Sequence, residues 1–380
     1  MNTSSRRALA TLTACSLAEL GKDLAVMNRC MLRVAPLLEA VGLILCVAAC
    51  QKQQLDTRKS SAIDAAGAST TQVSTPAAQT SPAASAPVAS TAASVFSPAC
   101  PRFDKGREVG RVRNSDLKEA SGLAVSRQNP GVIWSHNDTS ARPRLFAMLM
   151  DGTDLGTYAL EDVDPVDWED IAISRAADDK GWDLYIGDFG NNSGSRSELT
   201  LYRVKEPKVE RDQKAKHRHL RHVESFKFAY PNQQSHDAET LLVDPLSHDV
   251  YVVTKGRNEK VTLYRAKAPL LADKTNQLEE LITPTGLDAS PHHHDDLVTG
   301  GDVSDDGAMV VVRTYKQAFL WLRNGREGLG ATLARPACPL KLRRESQGEA
   351  IAFVADGKGY MTLSEGERSR ILFFERKNEE

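Results

Sequence analysis

The chain has 380 residues and a formal net charge of −2 at pH 7, so its overall charge gives no reason to expect binding to nucleic acid. Aromatic residues make up 6% of the chain and 25 residues are glycine, a composition that suits a β-rich globular domain. Because the composition is uneven along the chain, the domains are read from its segments and not from its length.

Residues 1–50 are expected to form a leader and not part of a folded core. An apolar run from Ala40 to Ala49 is too short to span a bilayer as a helix, and its length and small-residue end fit a secretory signal peptide. The run ends in VAAC, which resembles a bacterial lipobox. This resemblance implies that Cys50 is lipidated and becomes the mature N-terminus. Translation is expected to start at Met27 or Met31, because the residues before them look like neither signal nor domain.

Residues 51–98 are predicted to be a disordered linker between the anchor and a folded domain. They are rich in Ala, Ser, Thr and Pro and contain almost no large apolar side chain. Such a segment cannot bury enough surface to offset its chain entropy. Gln51, and not Asp, follows the Cys, so the resemblance to lipoprotein sorting in Gram-negative bacteria implies an outer-membrane lipoprotein facing the periplasm.

Residues 99–380 have a globular composition, and one pattern recurs in them. Short alternating strands open with a polar residue, and each is followed by a turn and two further apolar strands. The openings lie about 50 to 70 residues apart, in the segments SGLAVS at Ser121, EDIAIS at Glu169, ETLLVD at Glu239, TGGDVS at Thr299 and EAIAFV at Glu349. The repeat predicts an all-β chain folded as a β-propeller, whose innermost strands line a central channel.

Five blades of four antiparallel strands are expected. GTYALE, ESFKFAY and LEELITP are candidate fourth strands of the first three blades, and ATLARPA, residues 331–337, is the candidate for the fourth. The last unit ends without a fourth strand, so REVGRVR, residues 107–113, is predicted to complete it and to close the ring without open edges. The alternative is a sixth blade within the longer second unit.

Several segments together resemble a group of secreted bacterial propeller proteins that are mostly uncharacterised lipoproteins. They are ASGLAVS, HND, DWEDIA, IGDFGNN, AETL, VTKG, VVVRTY and GEAIAF, and the resemblance covers residues 110–376. More distantly, the carboxylate-led inner strands look like the calcium-dependent lactonase and phytase-like propellers. That second likeness is at the level of the fold and implies little about function.

The openings of the inner strands are expected to face one axis at one end of the channel. The five opening residues are Ser121, Glu169, Glu239, Thr299 and Glu349. The second strands add Asp188, Lys255 and Arg313, with His136 as a conceivable base. Further polar residues are expected nearby: Glu119, Asn137, Asp138, Asp167, Asp237, Asn191 and Glu365.

So many acids around one axis require compensating positive charge. One solution is a hard cation, and calcium bound by Glu169, Glu239 and Glu349 is the candidate, because calcium takes six to eight oxygen ligands. The other is a polar network in which Lys255 and Arg313 pair with the glutamates and hold the blades together. The sequence leaves both open.

Two functions follow from these alternatives. The first is a membrane-tethered envelope propeller that binds a small molecule or an envelope protein at its polar channel. The alternative is a calcium-dependent hydrolase of a lactone or phosphate ester, with the cation polarising the substrate oxygen. The chain has no G-x-S-x-G elbow, Walker A sequence or dinucleotide fingerprint, so a serine hydrolase, a kinase and an NAD enzyme are unsupported.

Two histidine-rich runs, SPHHHDDL around His292 to His294 and KAKHRHLRH over residues 214–222, are interpreted as exposed loops. Cys100 and Cys338 are the only cysteines of the predicted domain, and they are expected on neighbouring blades. In an oxidising compartment this predicts a Cys100–Cys338 disulfide near the closure of the ring.

Overall fold

The computed structural model describes residues 98–138, 142–287 and 293–378 of the protein. The predicted leader, the lipidation site at Cys50 and nearly all of the predicted linker lie outside the described residues, as does His292. Almost all of the described residues belong to the domain predicted for residues 99–380.

Strands make up almost all of the regular structure. In chain order they are β1 (Arg107–Arg111), β2 (Ala120–Val125), β3 (Val132–Asn137), β4 (Arg144–Leu149), β5 (Asp154–Leu160), β6 (Trp168–Arg175), β7 (Trp182–Asp188), β8 (Glu198–Lys205), β9 (Lys216–Leu220), β10 (Glu224–Ala229), β11 (Ala238–Val243), β12 (Val250–Thr254), β13 (Leu263–Ala266), β14 (Asn276–Gln277), β15 (Glu279–Ile282), β16 (Val298–Val303), β17 (Met309–Thr314), β18 (Ala318–Leu322), β19 (Cys338–Leu340), β20 (Gly348–Phe353), β21 (Gly359–Ser364) and β22 (Arg370–Glu375). The described helices are the 3₁₀ turns Pro231–Gln233 and His294–Asp296 and the α-helix α1 (Leu329–Leu333). Over the described part of the chain, no helix combines the length and the apolar character needed to cross a membrane.

The strands form five sheets, which confirms the predicted five-bladed propeller. From the axis outward, the blades are β2-β3-β4-β5, β6-β7-β8-β10, β11-β12-β13-β15, β16-β17-β18-β19 and β20-β21-β22-β1, here called the first to the fifth blade. Within each blade these neighbours pair antiparallel. Each inner strand also contacts the inner strand of the next blade, and β20 contacts β2, so the inner strands close a ring.

The ring is closed as the sequence predicted. Strand β1 pairs antiparallel with β22, with Arg107 opposite Phe373 and Arg111 opposite Arg370. The predicted disulfide is also present: Cys100, just before β1, is bonded to Cys338 at the start of β19, with a Cα–Cα distance of 5.6 Å. The bond therefore links the segment that leads into the fifth blade to the outer strand of the fourth.

The outer strand of the fourth blade was predicted in the wrong place. Residues 331–337 do not form a strand; helix α1 covers their beginning, and β19 pairs with β18 instead. Leu329 and Leu333 are four residues apart, so a helix places both on one face, and both are fully buried against the cluster that contains Trp321. Pro336 prevents the helix from continuing.

Two further strands were not predicted. Strand β9 runs parallel to β5 on the outer edge of the first blade, and β14 runs parallel to β10 on the second. The extra length of the second unit therefore supplies β9 to the preceding blade, and the described residues contain no sixth blade. The run that contains β9 was interpreted as an exposed loop because its basic, histidine-rich sequence lacks apolar alternation. In the structure four of the five residues of β9 are indeed exposed, but they form an edge strand.

Apolar side chains fill the spaces between the blades. Each of the hydrophobic clusters joins two neighbouring blades: Trp134 and Ile173 meet between the first and second, and Tyr185 and Leu241 between the second and third. The remaining interfaces are packed in the same way. Because both faces of every inner strand are covered, the polar residues that open these strands stand out as exceptions.

Candidate functional site

A β-bulge occurs near the start of every inner strand, at the position where the sequence places the opening residue. The pairing of β6 with β7 skips from Trp168 to Asp170, and the pairing of β11 with β12 skips from Ala238 to Thr240. Equivalent shifts interrupt β2, β16 and β20. A bulge takes a residue out of the ladder and re-aims its side chain. The opening residues are thus bulged residues, with Glu169 and Glu239 among them.

Carboxylates from three loops join Glu169 and Glu239. Asp138 follows β3, Asp167 precedes β6 and Asp237 precedes β11. Carboxylate oxygens of Asp138, Asp167 and Glu169 lie within 4.8 Å of one another, and so do those of Glu169, Asp237 and Glu239. We call these sets the first triad and the second triad; Glu169 belongs to both. Glu349, the third predicted metal ligand, belongs to neither triad.

Lys255 provides positive charge here, as predicted. It directly follows β12, is buried, and its Nζ atom donates a hydrogen bond to Glu239 Oε1. We use the name acidic mouth for the two triads together with Lys255 and Glu349. The carboxyl of Glu349 interacts electrostatically with Glu239 and with Lys255, which places it in the same cluster.

Arg313 does not pair with the predicted glutamates. Its Nη2 atom lies 3.1 Å from Glu345 Oε2, and both side chains are almost completely buried. Its other donors are used by backbone carbonyls, at 3.0 Å from Ala350 O and 3.2 Å from Thr314 O. Glu345 lies outside the repeat, in the loop before β20, so the repeat pattern could not identify it as the partner.

The two hydroxyls predicted at the channel serve the packing of the blades. Ser121 Oγ donates a hydrogen bond to the carbonyl oxygen of Glu169 in the second blade. Thr299 Oγ1 donates to the carbonyl oxygen of Gly348, at 3.1 Å, in the fifth blade. Each hydroxyl therefore links its own inner strand to the next one.

Asp188 positions the acidic mouth. It is fully buried, and its carboxylate accepts hydrogen bonds from the backbone nitrogens of Val166, at 2.9 Å, and Asp167, at 3.0 Å. Arg196 Nη1 lies 2.9 Å from the same carboxylate and neutralises it. Asp188 thus fixes the loop that carries Asp167, a positioning role where the sequence predicted a ligand-facing one.

His136, the conceivable base, lies in the packing between blades. The side chain is completely buried, its Nδ1 atom is 3.0 Å from the carbonyl oxygen of Asn137, and its ring packs edge-on against Trp168 at 5.6 Å. Burial lowers the pKa of His136 to about 4. At neutral pH it is a buried, weakly basic imidazole, which does not suit a general base.

Burial and mutual repulsion raise the pKa values of the acidic mouth. Burial, followed by the neighbouring Asp167, raises the pKa of Asp138 to about 8. Burial raises the pKa of Glu239 to about 7 against the opposing effect of Lys255. For Glu169, burial and then the charge of Glu239 raise the pKa well above its ordinary value. Lys255 offsets only part of the mutual repulsion among these carboxyl groups, and a cation that binds them would compete with protons.

Glycine at position 190 lets the chain approach the first triad. A Cβ atom at Gly190 would overlap the carboxylate oxygens of Glu169 and Asp167. The backbone nitrogen of Gly190 also donates to the carbonyl oxygen of Asp167, at 3.1 Å. Gly190 lies two residues after β7, whereas the two carboxylates that leave no room for a side chain there come from the residue before β6 and from its opening residue.

The donor set of the acidic mouth fits a hard divalent cation. Each triad offers carboxylate oxygens, the ligands that calcium prefers. Within the described residues, four buried oxygen atoms of the acidic mouth accept no hydrogen bond: Asp138 Oδ1, Asp167 Oδ1, Asp237 Oδ2 and Glu349 Oε2. Buried oxygens without a donor are costly, and coordination would satisfy them.

The described part of the SPHHHDDL run forms a 3₁₀ turn. His294 stacks on Tyr315 with ring centroids 4.2 Å apart, and Asp295 pairs with Lys316. His293 and His294 are exposed, as the interpretation as a solvated loop predicted.

No known protein family matches the sequence, and no curated protein is significantly similar to it. Among solved structures, the chain is similar to the WD40 repeats of RRP9. The alignment covers 72% of this chain and 100% of that one, at 9% sequence identity and a TM-score of 0.35. Similarity at this level carries no functional argument, and the propeller architecture is read from the strand order alone.

Proposed function

We propose that this protein is a membrane-tethered β-propeller of the bacterial cell envelope that binds a ligand at its acidic mouth through a divalent cation, with calcium as the candidate ion. The observation that carries the proposal is an imbalance of charge. Six carboxyl groups lie in the acidic mouth, and their basic partners there are the buried Lys255 and the half-exposed Arg257, whose Nε atom is 3.6 Å from Asp237 Oδ2. The six are those of Asp138, Asp167, Glu169, Asp237, Glu239 and Glu349.

The imbalance favours a binding site over a clasp, which here means an ion-pair network whose only role is to hold the blades together. In a clasp, each buried acid has a basic partner, as Arg313 has Glu345 and Arg323 has Asp244 elsewhere in this ring. In the first triad, by contrast, no ion pair joins any of the three carboxylates to a described Lys or Arg side chain. Uncompensated carboxylates at this spacing destabilise the empty site and strengthen its attraction for a cation.

The bound ion would connect the protein to its ligand. Calcium takes six to eight oxygens, more than one triad of carboxylates supplies in monodentate form. Coordination positions are then left for oxygen atoms of a small molecule or of an envelope protein. Asp138 and Asp167 are half-buried, so the first triad has access to solvent on that side.

Binding is favoured over hydrolysis by the position of His136. A calcium-dependent hydrolase needs a base or a nucleophile beside the ion, and the conceivable base of this chain is turned into the packing against Trp168. A hydrolytic activity would therefore have to use, as its base, a carboxylate of the acidic mouth that does not hold the ion. Assays with a lactone and a phosphate ester, with and without calcium, test this alternative directly.

The tether belongs to the same proposal. Cys50 and the linker lie outside the described residues, and the VAAC segment supports lipidation and an outer-membrane location facing the periplasm. Replacing Cys50 with Ala is expected to move the protein from the membrane to the soluble fraction of the envelope. An unmodified mature N-terminus upstream of Cys50, found by mass spectrometry, would refute the lipid anchor.

Calcium titration of the purified protein tests the binding site. The wild type should bind calcium in a calorimetric titration, and Glu169→Gln should weaken binding at least about tenfold, since even outer partners of metal ligands are worth that much. Glu280→Gln, on the exposed outer strand β15, is the matched control and should bind like the wild type. If the wild type binds no calcium and Glu169→Gln merely changes the melting temperature, the acidic mouth is a clasp.

A further inference from the structure

We infer that the acidic mouth contains two overlapping cation positions that share Glu169, and that the ammonium of Lys255 permanently holds one of them. The second triad is then the position of Lys255, and the first triad is the position of a single divalent cation. This inference rests on the proposed function, because it specifies where the cation binds and why only one does.

The geometry of the two triads is the starting point. Each brings three carboxylate oxygens within 4.8 Å of one another, a spacing that would suit one ion in each triad. Glu169 contributes to both, so ions in the two positions would be close neighbours. Two divalent ions so close together repel strongly unless further ligands compensate.

The positive charges of the protein are distributed unequally between the triads. In the second triad, Lys255 Nζ is bonded to Glu239, and Arg257 Nε lies 3.6 Å from Asp237 Oδ2. Lys255 is also fixed through its backbone: its nitrogen donates to Asp237 O at 2.8 Å, and its carbonyl oxygen accepts from Val298 at 3.1 Å. The lysine is held in place from both sides.

The first triad has the complementary properties. No described Lys or Arg side chain forms an ion pair with Asp138, Asp167 or Glu169. The nearby Arg196 is bonded to Asp188, to the carbonyl oxygen of Gly190 and to that of Asp188 itself. Gly190 lies so close to Glu169 and Asp167 that a side chain would collide with them.

Unsatisfied oxygens are an observation independent of the number of acids. Asp138 Oδ1 and Asp167 Oδ1 in the first triad are buried atoms that accept no hydrogen bond from a described residue. In the second triad Asp237 Oδ2 also accepts none, but the Nε atom of Arg257 lies 3.6 Å from it and supplies positive charge. Glu349, with only 4% of its surface exposed, has the same property at Oε2, and it opens the inner strand of its blade as Glu169 and Glu239 do. A cation at the first triad would satisfy the first two oxygens.

Removing the lysine tests whether it takes the place of an ion. The full-length wild type should bind one Ca²⁺, counted by native mass spectrometry and by calorimetry. Lys255→Met should bind a second Ca²⁺ because the second triad becomes available, and should bind it more weakly than the first because the two neighbouring ions repel each other. Lys260→Met, on the exposed loop of the same blade, is the matched control and should bind one.

A double variant locates the ion and guards against misfolding. Lys255→Met leaves Glu239 buried without its partner, whereas Lys255→Met combined with Glu239→Gln removes both charges. The double variant should keep one Ca²⁺ with an affinity within about twofold of the wild type, because the first triad is intact. Loss of calcium from the double variant would place the ion at Glu239 and overturn the inference.

The outcomes separate this inference from the proposed function. If the wild type binds no calcium, the proposed function fails. If the wild type binds one ion and folded Lys255→Met also binds only one, or none, the proposed function stands and the role given to Lys255 is wrong. Should Lys255→Met not fold, the double variant alone decides.

Discussion

Glu169 shows how one residue acquires a special role within a regular repeat. Its neighbours in β6 alternate between the apolar clusters, but the bulge between Trp168 and Asp170 removes Glu169 from the ladder. Asp170, the next residue, is turned across the ring and accepts hydrogen bonds from Leu241 at 3.0 Å and Gly301 at 3.3 Å. Adjacent acids thus have different functions: one faces the acidic mouth and the other joins three blades.

Gly190→Ala should damage the first triad without unfolding the protein. The added methyl group would overlap the carboxylates of Glu169 and Asp167, which must move apart. We expect calcium affinity to fall at least about tenfold, with a small change in melting temperature. Gly328→Ala, where no atom lies within 4 Å of the added Cβ, is the matched control in the calcium titration. Unchanged affinity in Gly190→Ala would exclude the first triad as the site.

Asp302 makes stability depend on pH at the opposite end of β16 from Thr299. Burial raises the pKa of Asp302 to about 7 against the opposing charge of Arg127, so the folded protein keeps a proton that the unfolded chain loses near pH 4. The stabilisation that this retained proton gives to the folded protein is complete below about pH 4 and is lost as the pH rises towards 7. Over that range the free energy of unfolding should fall by up to about 1.4 kcal/mol per pH unit.

Asp302→Asn should remove this contribution. Asparagine does not titrate, so the free energy of unfolding should fall less steeply between pH 5 and pH 7 than it does in the wild type. Urea denaturation at several pH values measures the slope, which is independent of any constant loss from the altered hydrogen bonds to Val303 and Phe353. If the free energy of unfolding changes with pH equally in the wild type and in Asp302→Asn, then Asp302 is ionised in the folded state throughout this pH range.

At the residue scale, the sequence predicted the positions better than the partners. The spacing of the repeat placed Glu169, Glu239 and Lys255 together, because equivalent positions of a propeller face one axis. It did not identify Glu345 as the partner of Arg313 or Arg196 as the partner of Asp188, since both partners lie in loops without a repeat. Nor did it show that the ring of His136 turns into the interblade packing.

At the scale of elements, alternation of apolar residues predicted the strands that pack between blades and missed those that do not. The inner and second strands are buried on both faces and were all identified. Strand β9 is an exposed, basic edge strand, and β14 has only two residues. Helix α1 was mistaken for a strand because its apolar residues fit either periodicity over so short a segment.

The disulfide should stabilise the closure of the ring. Replacing both Cys100 and Cys338 with Ser is expected to lower the free energy of unfolding by about 2–4 kcal/mol, chiefly because the reduced chain gains freedom when unfolded. Urea denaturation measures this loss. Reducing agent should lower the free energy of unfolding of the wild type by a similar amount and leave that of the double variant unchanged. Equal stability of the wild type and the double variant would show that the disulfide does not stabilise the ring.

At the scale of the whole molecule, the two ends of the ring are chemically different. At the acidic mouth, carboxylates outnumber the one lysine. Towards the other end, Arg127 of the first blade pairs with Asp305 of the fourth and donates to the carbonyl oxygen of Phe353 in the fifth. Side chains from three blades therefore bridge that end, and a ligand would approach from the side of Asp138 and Asp167.

Anomalous diffraction from crystals grown with Tb³⁺, which replaces calcium at oxygen sites, tests the central claim most directly. We predict a single strong peak within about 2.3–2.6 Å of carboxylate oxygens of Asp138, Asp167 and Glu169, with Lys255 still bonded to Glu239. A peak centred on Glu239 and Asp237 with Lys255 displaced, or no peak at the acidic mouth with millimolar Tb³⁺ present, would contradict the account.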